Sequence, residues 1–169
     1  MLCHEMAEHQ NKCSFKPGLQ RKASVLKMGP CGVANDGDNF EMDVSGIHRI
    51  VKVVVWHGDA VDAMKVVYEQ DGKEKTDPAW GQPTNKRSEI CLESDEYLTG
   101  VKGYIGDCGW LSVSSLTFIS NRRTFGPYGG KEEDALFELP AAPGGKIVGF
   151  HGRANEYLYA LGTYVKMGD

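Results

Sequence analysis

The chain has 169 residues, a formal net charge of −4 and a sequence pI near 5.7. This length suits one domain with a sizeable core. The acidic balance creates no global field that would attract nucleic acid or an anionic membrane. No apolar run approaches the roughly 18–20 residues needed to span a bilayer. We therefore expect one folded domain with neither nucleic acid nor a membrane as a partner.

The N-terminal residues are polar and keep no helical or strand period. We therefore predict a flexible tail over residues 1–27 and a folded domain over residues 28–169. The opening stretch MLCHEMAEHQNKCSF lacks the apolar segment of a secretory signal. Five cysteines stand at irregular spacings without a C-x-x-C pair, which favours reduced thiols. These features predict a cytoplasmic or nuclear location.

From Gly29 onward, short β-branched and aromatic runs alternate with turn residues, as is typical of an all-β domain. No segment keeps a helical period for ten residues. Many short strands have to hide their edges, which favours a closed or three-sheet architecture. The predicted strands are Ile47–Trp56, Met64–Tyr68, Ser88–Leu92, Tyr97–Ile105, Leu111–Ser120, Lys146–Phe150 and Tyr157–Val165.

Three local signals refine this pattern. Asp71-Gly72 after an apolar run predicts a type I′ hairpin. In LSVSSLTF, the apolar phase slips at Ser114-Ser115, so this strand needs a bulge to keep both halves facing one core. The segment Gly126–Gly130 is predicted to be a turn between strands.

Signals for catalysis or metal binding are weak. The chain has no G-x-S-x-G elbow, and His57 and His151 share no metal-ligand spacing with a cysteine or another histidine. The acidic cluster Asn35–Asn39 suggests calcium, but it places Gly32 and Ala34 at ligand positions of the EF-hand template. We therefore predict a protein that is not an enzyme, with no catalytic residue, metal or cofactor.

Several sequence blocks, taken together and in this order, resemble the jacalin-related lectins over about residues 28–166. The blocks are Gly29–Gly32, Ile50–Ala63, Ser115–Phe118, Asn121–Gly129 and Lys146–Arg153. The resemblance implies a β-prism I fold, with three four-stranded antiparallel sheets around a pseudo-threefold axis. It also implies a plant-type, cytoplasmic, single-chain lectin of the mannose/glucose class that commonly forms a homodimer and binds sugar without a metal.

The resemblance further implies a carbohydrate site at one end of the prism. A glycine of the first loop falls on Gly37, where the backbone approaches the sugar closely. The family's motif of glycine, three residues and aspartate falls on Asn155 through Tyr159, and the backbone N–H groups of Glu156 and Tyr157 inherit its contacts with sugar oxygens. Another loop offers an aromatic face and an apolar neighbour at Trp110 and Leu111.

This chain departs from the motif at both ends, with Asn155 in place of glycine and Tyr159 in place of aspartate. A carboxylate accepts from two adjacent hydroxyls, each charge-assisted bond contributing about 1.5–3 kcal/mol. A neutral phenol has one oxygen and cannot replace that fork. Losing roughly 3 kcal/mol lowers affinity by about two orders of magnitude. Asn tolerates positive φ better than other non-glycine residues, so we expect the turn itself to form.

Alternatives stay open at two positions and for the function. Glu156 is either a substitute carboxylate or a solvated side chain, and Trp110 is either a stacking platform or packed over its own turn. The first functional hypothesis is a lectin for mannose- or glucose-type glycans, its affinity weakened by Tyr159. The second is a β-prism that serves as a protein–protein interaction or assembly module with a decayed sugar site.

Overall fold

The computed structural model describes residues 25–84, 86–107, 109–130 and 135–168. Within these ranges the regular elements are thirteen β-strands, and no helix is long and apolar enough to cross a bilayer. The strands are β1 (Val25–Gly32), β2 (Asp38–Glu41), β3 (Ile47–His57), β4 (Val61–Gln70), β5 (Lys73–Thr76), β6 (Trp80–Gly81), β7 (Arg87–Cys91), β8 (Leu98–Asp107), β9 (Leu111–Ser120), β10 (Thr124–Gly129), β11 (Ala135–Pro140), β12 (Gly145–Ala154) and β13 (Leu158–Met167).

Three antiparallel hairpins of long strands, β3–β4, β8–β9 and β12–β13, form the body of the fold. Shorter strands extend each hairpin on both sides: β7 with β5 and β6, β11 with β10, and β2 with β1. The second and third groups join through one residue pair, Leu98 with Ile147. This arrangement confirms the predicted all-β architecture, in which each group presents one face to a shared core.

Aromatic rings from different strand groups meet in that core. Phe40 stacks on Trp80 with ring centroids 4.4 Å apart, and Trp80 lies 6.5 Å from Phe150. Phe150 in turn meets Phe118 edge to face at 6.4 Å. Burying a large apolar side chain contributes about 1.5–3 kcal/mol, so this shared core holds the three hairpins in place. Other large apolar side chains that are fully buried include Val53, Met64, Ile90, Leu98, Leu116, Leu139, Ile147, Leu158 and Leu161.

Two local predictions are confirmed. Asp71 and Gly72 lie between β4 and β5 with φ of 54° and 82°, and a type I′ turn requires both to be positive. In the β8–β9 ladder, Tyr104 pairs with Ser115 but Ile105 pairs with Val113. Ser114 is therefore the extra residue of a bulge, at the place where the apolar phase slips.

Two boundaries differ from the sequence prediction. Strand β1 begins at Val25, so residues 25–27 of the predicted tail belong to the sheet, while residues 1–24 lie outside the described ranges. The segment predicted as a turn at Gly126–Gly130 falls mostly in strand β10. Its register shifts between Phe125 and Tyr128, which places Pro127 at an irregularity of an edge strand, where proline removes no ladder bond.

The expectation of reduced thiols holds for one described cysteine and fails for the other. Cys91 is a free, exposed thiol. Cys31, fully buried in β1, is disulfide-bonded. Spacing along the sequence could not show this, because a disulfide depends on the distance between chain segments in the fold.

Candidate functional site

The turns of the three long hairpins meet at one end of the prism, which we call the hairpin end. Trp110, immediately before β9, lies 4.9 Å from the Tyr157 ring in the turn between β12 and β13. Tyr157 also lines a shallow depression together with Asp62, at the start of β4. Side chains from all three hairpins therefore converge on one surface.

The last turn, residues 155–157, keeps a compact hydrogen-bonded form. The Asn155 N–H donates to the Tyr157 carbonyl at 3.0 Å. Leu158 is fully buried directly after the turn, whereas Asn155 and Glu156 are exposed. Among the described residues, Asp71 is the one non-glycine residue whose φ is positive. Asn155 therefore forms the turn without a left-handed backbone. The expected turn is present, and the special tolerance of Asn for positive φ is not what permits it.

The guanidinium of Arg153 ties the first loop to the last hairpin. Its Nε donates to the Asp36 carbonyl, its Nη2 to the Gly37 carbonyl and its Nη1 to the Asn39 side chain, each at 2.8 Å. Three bonds from one planar group fix both the position and the orientation of the loop. These three hydrogen bonds, which we call the Arg153 clamp, were not predicted from the sequence. Arg153 is nevertheless the last residue of the sequence block Lys146–Arg153.

The Tyr159 ring packs directly against this loop. Gly37 has φ of 73°, and a Cβ built there would lie 2.7 Å from Cδ2 of Tyr159. Burial, followed by the nearby carboxylates of Glu156 and Asp36, raises the pKa of the Tyr159 phenol above its usual value. Tyr159 is thus a neutral group at physiological pH, and its ring covers one side of the glycine predicted to face the sugar.

An aromatic row extends from Tyr159 to the hairpin of β8 and β9. The ring centroids of Tyr157 and Tyr159 lie 6.4 Å apart, edge to face, and Trp110 lies beyond Tyr157. Trp110 is 44% exposed and its neighbour Leu111 is 50% exposed. Trp110 therefore packs on a neighbouring turn while keeping much of its surface open to solvent.

The first hairpin carries a second turn with the same hydrogen bond. The Gly58 N–H donates to the Ala60 carbonyl at 2.9 Å, as Asn155 does to Tyr157. Val61 is fully buried after this turn, as Leu158 is after the last one. Asp62 therefore occupies the place that Tyr159 occupies in the last hairpin.

A glycine contact that recurs beside each hairpin, from the neighbouring strands β1, β6 and β10, supports this equivalence. Gly32, Gly81 and Gly129 approach so closely that a Cβ on each would overlap a carbonyl oxygen, that of Tyr159, Asp62 and Ser114 respectively. The residue after each glycine donates its N–H to the same carbonyl, at 2.9, 3.2 and 2.7 Å. This threefold recurrence is the pseudo-threefold symmetry that the resemblance implied.

The depression at this end has a volume of about 230 Å³. One wall comes from Asp62 and the segment Gln82–Thr84, and the other from Glu156 and Tyr157. The Thr84 hydroxyl donates to Oδ2 of Asp62 at 3.0 Å. The depression combines carboxylate and hydroxyl groups with one aromatic ring, which are the groups that bind a sugar's hydroxyls and its C–H face.

A family model of the jacalin-like lectin domain matches residues 28–164. The chain belongs to the jacalin-like lectin family. Jacalin-related lectin 19 from Arabidopsis thaliana is 36% identical over 149 residues, which cover 85% of this chain and 82% of that protein. Jacalin-related lectin 3 from the same plant is 35% identical over 145 residues, but this chain spans 23% of its length.

Solved structures of jacalin-related lectins share the fold. A mannose-binding lectin from Ananas comosus superposes with a TM-score of 0.78 at 37% identity, covering 86% of this chain and 99% of that one. Artocarpin, solved in complex with mannotriose, gives a TM-score of 0.74 at 32% identity, covering 85% and 99%. These likenesses confirm the β-prism expectation for the jacalin-like domain.

The structure thus locates every predicted site residue at the hairpin end or in the first loop. Gly37 touches Tyr159, Tyr157 touches Trp110, and Glu156 lines the depression. Their contacts with sugar stay predictions. Sequence reasoning missed Gly58–Asp62, although this segment has a glycine, three residues and an aspartate. Searching the whole jacalin-like domain for the motif, instead of its last hairpin alone, would have found it.

Proposed function

We propose that this jacalin-like domain binds mannose- or glucose-type glycans at the hairpin end, with Asp62 as the principal carboxylate acceptor. One observation carries the proposal: Asp62 stands in the first hairpin where Tyr159 stands in the last, after a turn with the same hydrogen bond. The names of the mannose-binding lectin from Ananas comosus and the artocarpin–mannotriose complex support the sugar class. The proposed activity is binding, with no chemical step.

The surroundings of Asp62 suit a sugar diol. Thr84 donates to Oδ2, and in the described part of the chain Oδ1 accepts no hydrogen bond. Gly58 has no side chain, and a Cβ built there would come no closer than 4.0 Å to the carboxylate. The oxygen nearest such a Cβ is Oδ2, so a hydroxyl of the ligand can reach the carboxylate at that oxygen across Gly58.

Isothermal titration calorimetry with mannotriose tests the proposal on the full chain. We expect Asp62→Asn to weaken binding at least tenfold, because a charge-assisted hydrogen bond contributes about 1.5–3 kcal/mol and 1.4 kcal/mol corresponds to a factor of ten. Asp95→Asn is the matched control. It removes the same charge at the exposed ion pair with Arg122, away from the depression, and should leave affinity unchanged.

The second functional hypothesis, an interaction module with a decayed site, makes the opposite prediction. It is favoured by Tyr159, whose neutral ring covers Gly37 where the motif has a carboxylate. If the unmodified protein gives no heat with mannotriose and no signal on a glycan array, the lectin proposal fails and this alternative replaces it.

A further inference from the structure

A groove of about 700 Å³ lies at the end of the long strands opposite the hairpin end. It is lined by residues 41–48 and by side chains of β1, β12 and β13, and we call it the far groove. Strand β3 begins here with Ile47 and needs 11 residues to reach the hairpin end, a distance of roughly 35 Å. The far groove is therefore separate from the candidate sugar site.

The chain enters the folded domain beside the far groove. Val25, the first residue of β1, lines the groove and is 43% exposed, and Val44 lines it half-buried. Because β1 runs from Val25 toward the hairpin end, the 24 residues that precede Val25 join the sheet at the groove. Four extended residues span up to about 14 Å, so the residues just before Val25 are within reach of the groove.

Two carboxylates of the far groove each have an oxygen available for a ligand. Both contacts of Glu41 use Oε2, and both contacts of Asp43 use Oδ1. In the described ranges, Oε1 of Glu41 and Oδ2 of Asp43 accept no hydrogen bond. The described lining includes one Lys or Arg, which is Lys166. The far groove therefore offers acidic groups beside exposed valine side chains.

The segment that joins the sheet here has the opposite charge. Residues 1–24 contain four Lys or Arg and two Asp or Glu, a net charge of +2. The whole chain has a net charge of −4, so residues 25–169 carry −6. Both acidic residues of the segment lie among its first ten residues, whereas Arg21 and Lys22 stand close to Val25. This charge distribution attracts the segment to the acidic domain, and to the nearest carboxylates first.

We propose that residues 15–24 of this chain occupy the far groove, with Arg21 and Lys22 paired to Asp43 and Glu41. The covalent connection makes the contact intramolecular, so ion pairs that are individually weak act at a high effective concentration. The far groove is thus an interaction surface whose partner is the chain's own basic segment. This inference does not depend on the proposed sugar binding.

Limited digestion of the full chain with trypsin tests this docking, because a protease cuts a docked segment only when the segment opens. Mass spectrometry measures the cleavage rate after each Lys and Arg, relative to the same bond in a synthetic peptide of residues 8–26. We expect the bond after Lys22 to be cut at least tenfold more slowly than the bond after Lys12, which lies outside the docked segment. Sodium chloride at about 1 M, where the Debye length is about 3 Å, should bring the two rates within threefold.

A paired variant of the groove tests the ion pairs. Glu41→Gln with Asp43→Asn removes both charges and keeps oxygens that accept the existing hydrogen bonds. We expect cleavage after Lys22 to become at least fivefold faster in this variant. Asp59→Asn with Glu138→Gln is the matched control. It removes the same two kinds of charge from exposed positions outside the groove, and it should leave the rate within twofold.

The cleavage pattern separates the outcomes. The bond after Lys27 lies within β1, so slow cleavage there shows that a variant remains folded. Equal relative rates after Lys12 and Lys22 in the unmodified chain would overturn the docking. Protection that persists in the groove variant would overturn the pairing with Asp43 and Glu41. Protection that disappears on hundredfold dilution would show that the segment docks on a second copy, and it would overturn the intramolecular contact.

Discussion

At the scale of single residues, the chemistry of Tyr159 could be predicted from the sequence and its packing could not. Its identity alone reveals the missing carboxylate, since a phenol offers one neutral oxygen. Its packing against Gly37 and the clamp by Arg153 could not be inferred, because they join segments far apart in the chain. Asp62 was readable as the end of a second motif of glycine, three residues and aspartate, and the hydrogen bonds show that its turn has the same form as the last one.

His151 makes stability depend on pH. It is buried, its Nε2 lies 2.9 Å from the Met28 carbonyl oxygen, and burial lowers its pKa to about 4. Because the ordinary value of about 6.5 applies to the unfolded chain, the unfolded state binds more protons between these values. Lowering the pH from 7 to 5 should therefore reduce the free energy of unfolding by about 2 kcal/mol, measured by urea denaturation at each pH.

The variant His151→Gln isolates this contribution. It keeps a side-chain donor for Met28 and cannot titrate, so its stability should change much less between pH 7 and pH 5. Burial also lowers the pKa of His57. The free energy of unfolding of the variant should therefore still fall, by a smaller amount, as the pH is lowered. An unchanged slope in the variant would show that His151 is not responsible.

At the scale of elements, strand patterning predicted the long hairpins and the edge strand β7, and it missed other short edge strands. Strand β9 has the predicted bounds, Leu111–Ser120, because its apolar phase and its slip are both visible in sequence. Strand β5 is exposed throughout, and β10 contains glycine and proline. Such edges form because a neighbouring long strand offers a ladder of backbone groups, and their own sequences carry little signal.

Gly81, which packs on the main chain of the first hairpin, should tolerate no side chain. Gly81 has φ of 102°, and its Cβ would overlap the Asp62 carbonyl. We expect Gly81→Ala to lower the free energy of unfolding by about 2–4 kcal/mol through combined strain and overlap, measured by chemical denaturation.

Gly144→Ala is the matched control for this change. Gly144 has a similar φ of 82°, but a Cβ there meets nothing within 4 Å. Only the left-handed backbone penalty of roughly 1–2 kcal/mol should remain. Equal losses in the two variants would contradict a role for the overlap.

At the scale of the whole molecule, the resemblance to jacalin-related lectins predicted the prism. It did not predict how many loops surround the candidate site or where they lie. Composition and periodicity reach an all-β domain with many short strands. The convergence of three hairpins at one end depends on how the strand groups pack around the shared core. For that reason the site was predicted from the first loop, the Trp110 loop and the last turn, whereas the depression is also lined by Asp62 of the first hairpin.

Restoring the motif in the last hairpin should change the number of ligands per molecule. In the paired variant Asn155→Gly with Tyr159→Asp, the ring no longer covers Gly37 and a carboxylate stands beside the turn. We expect calorimetry with methyl α-mannoside to show two ligands per chain in place of one. A stoichiometry that stays at one, in a variant that melts like the unmodified protein, would refute the assignment of Tyr159 as the lost acceptor.

Each hairpin is anchored near its turn by the same main-chain contact, in which a glycine lies on one carbonyl and the next residue donates its N–H to that carbonyl. Tyr159 and Asp62 are held alike, although one side chain is a neutral phenol and the other a carboxylate. Ser114 is buried, and its hydroxyl donates to the Tyr104 carbonyl, so it presents nothing to a ligand. The scaffold is therefore indifferent to what each tip presents to a ligand. Exchanging the side chain at position 62 or 159 should therefore alter specificity while the main-chain contacts that hold each hairpin stay in place.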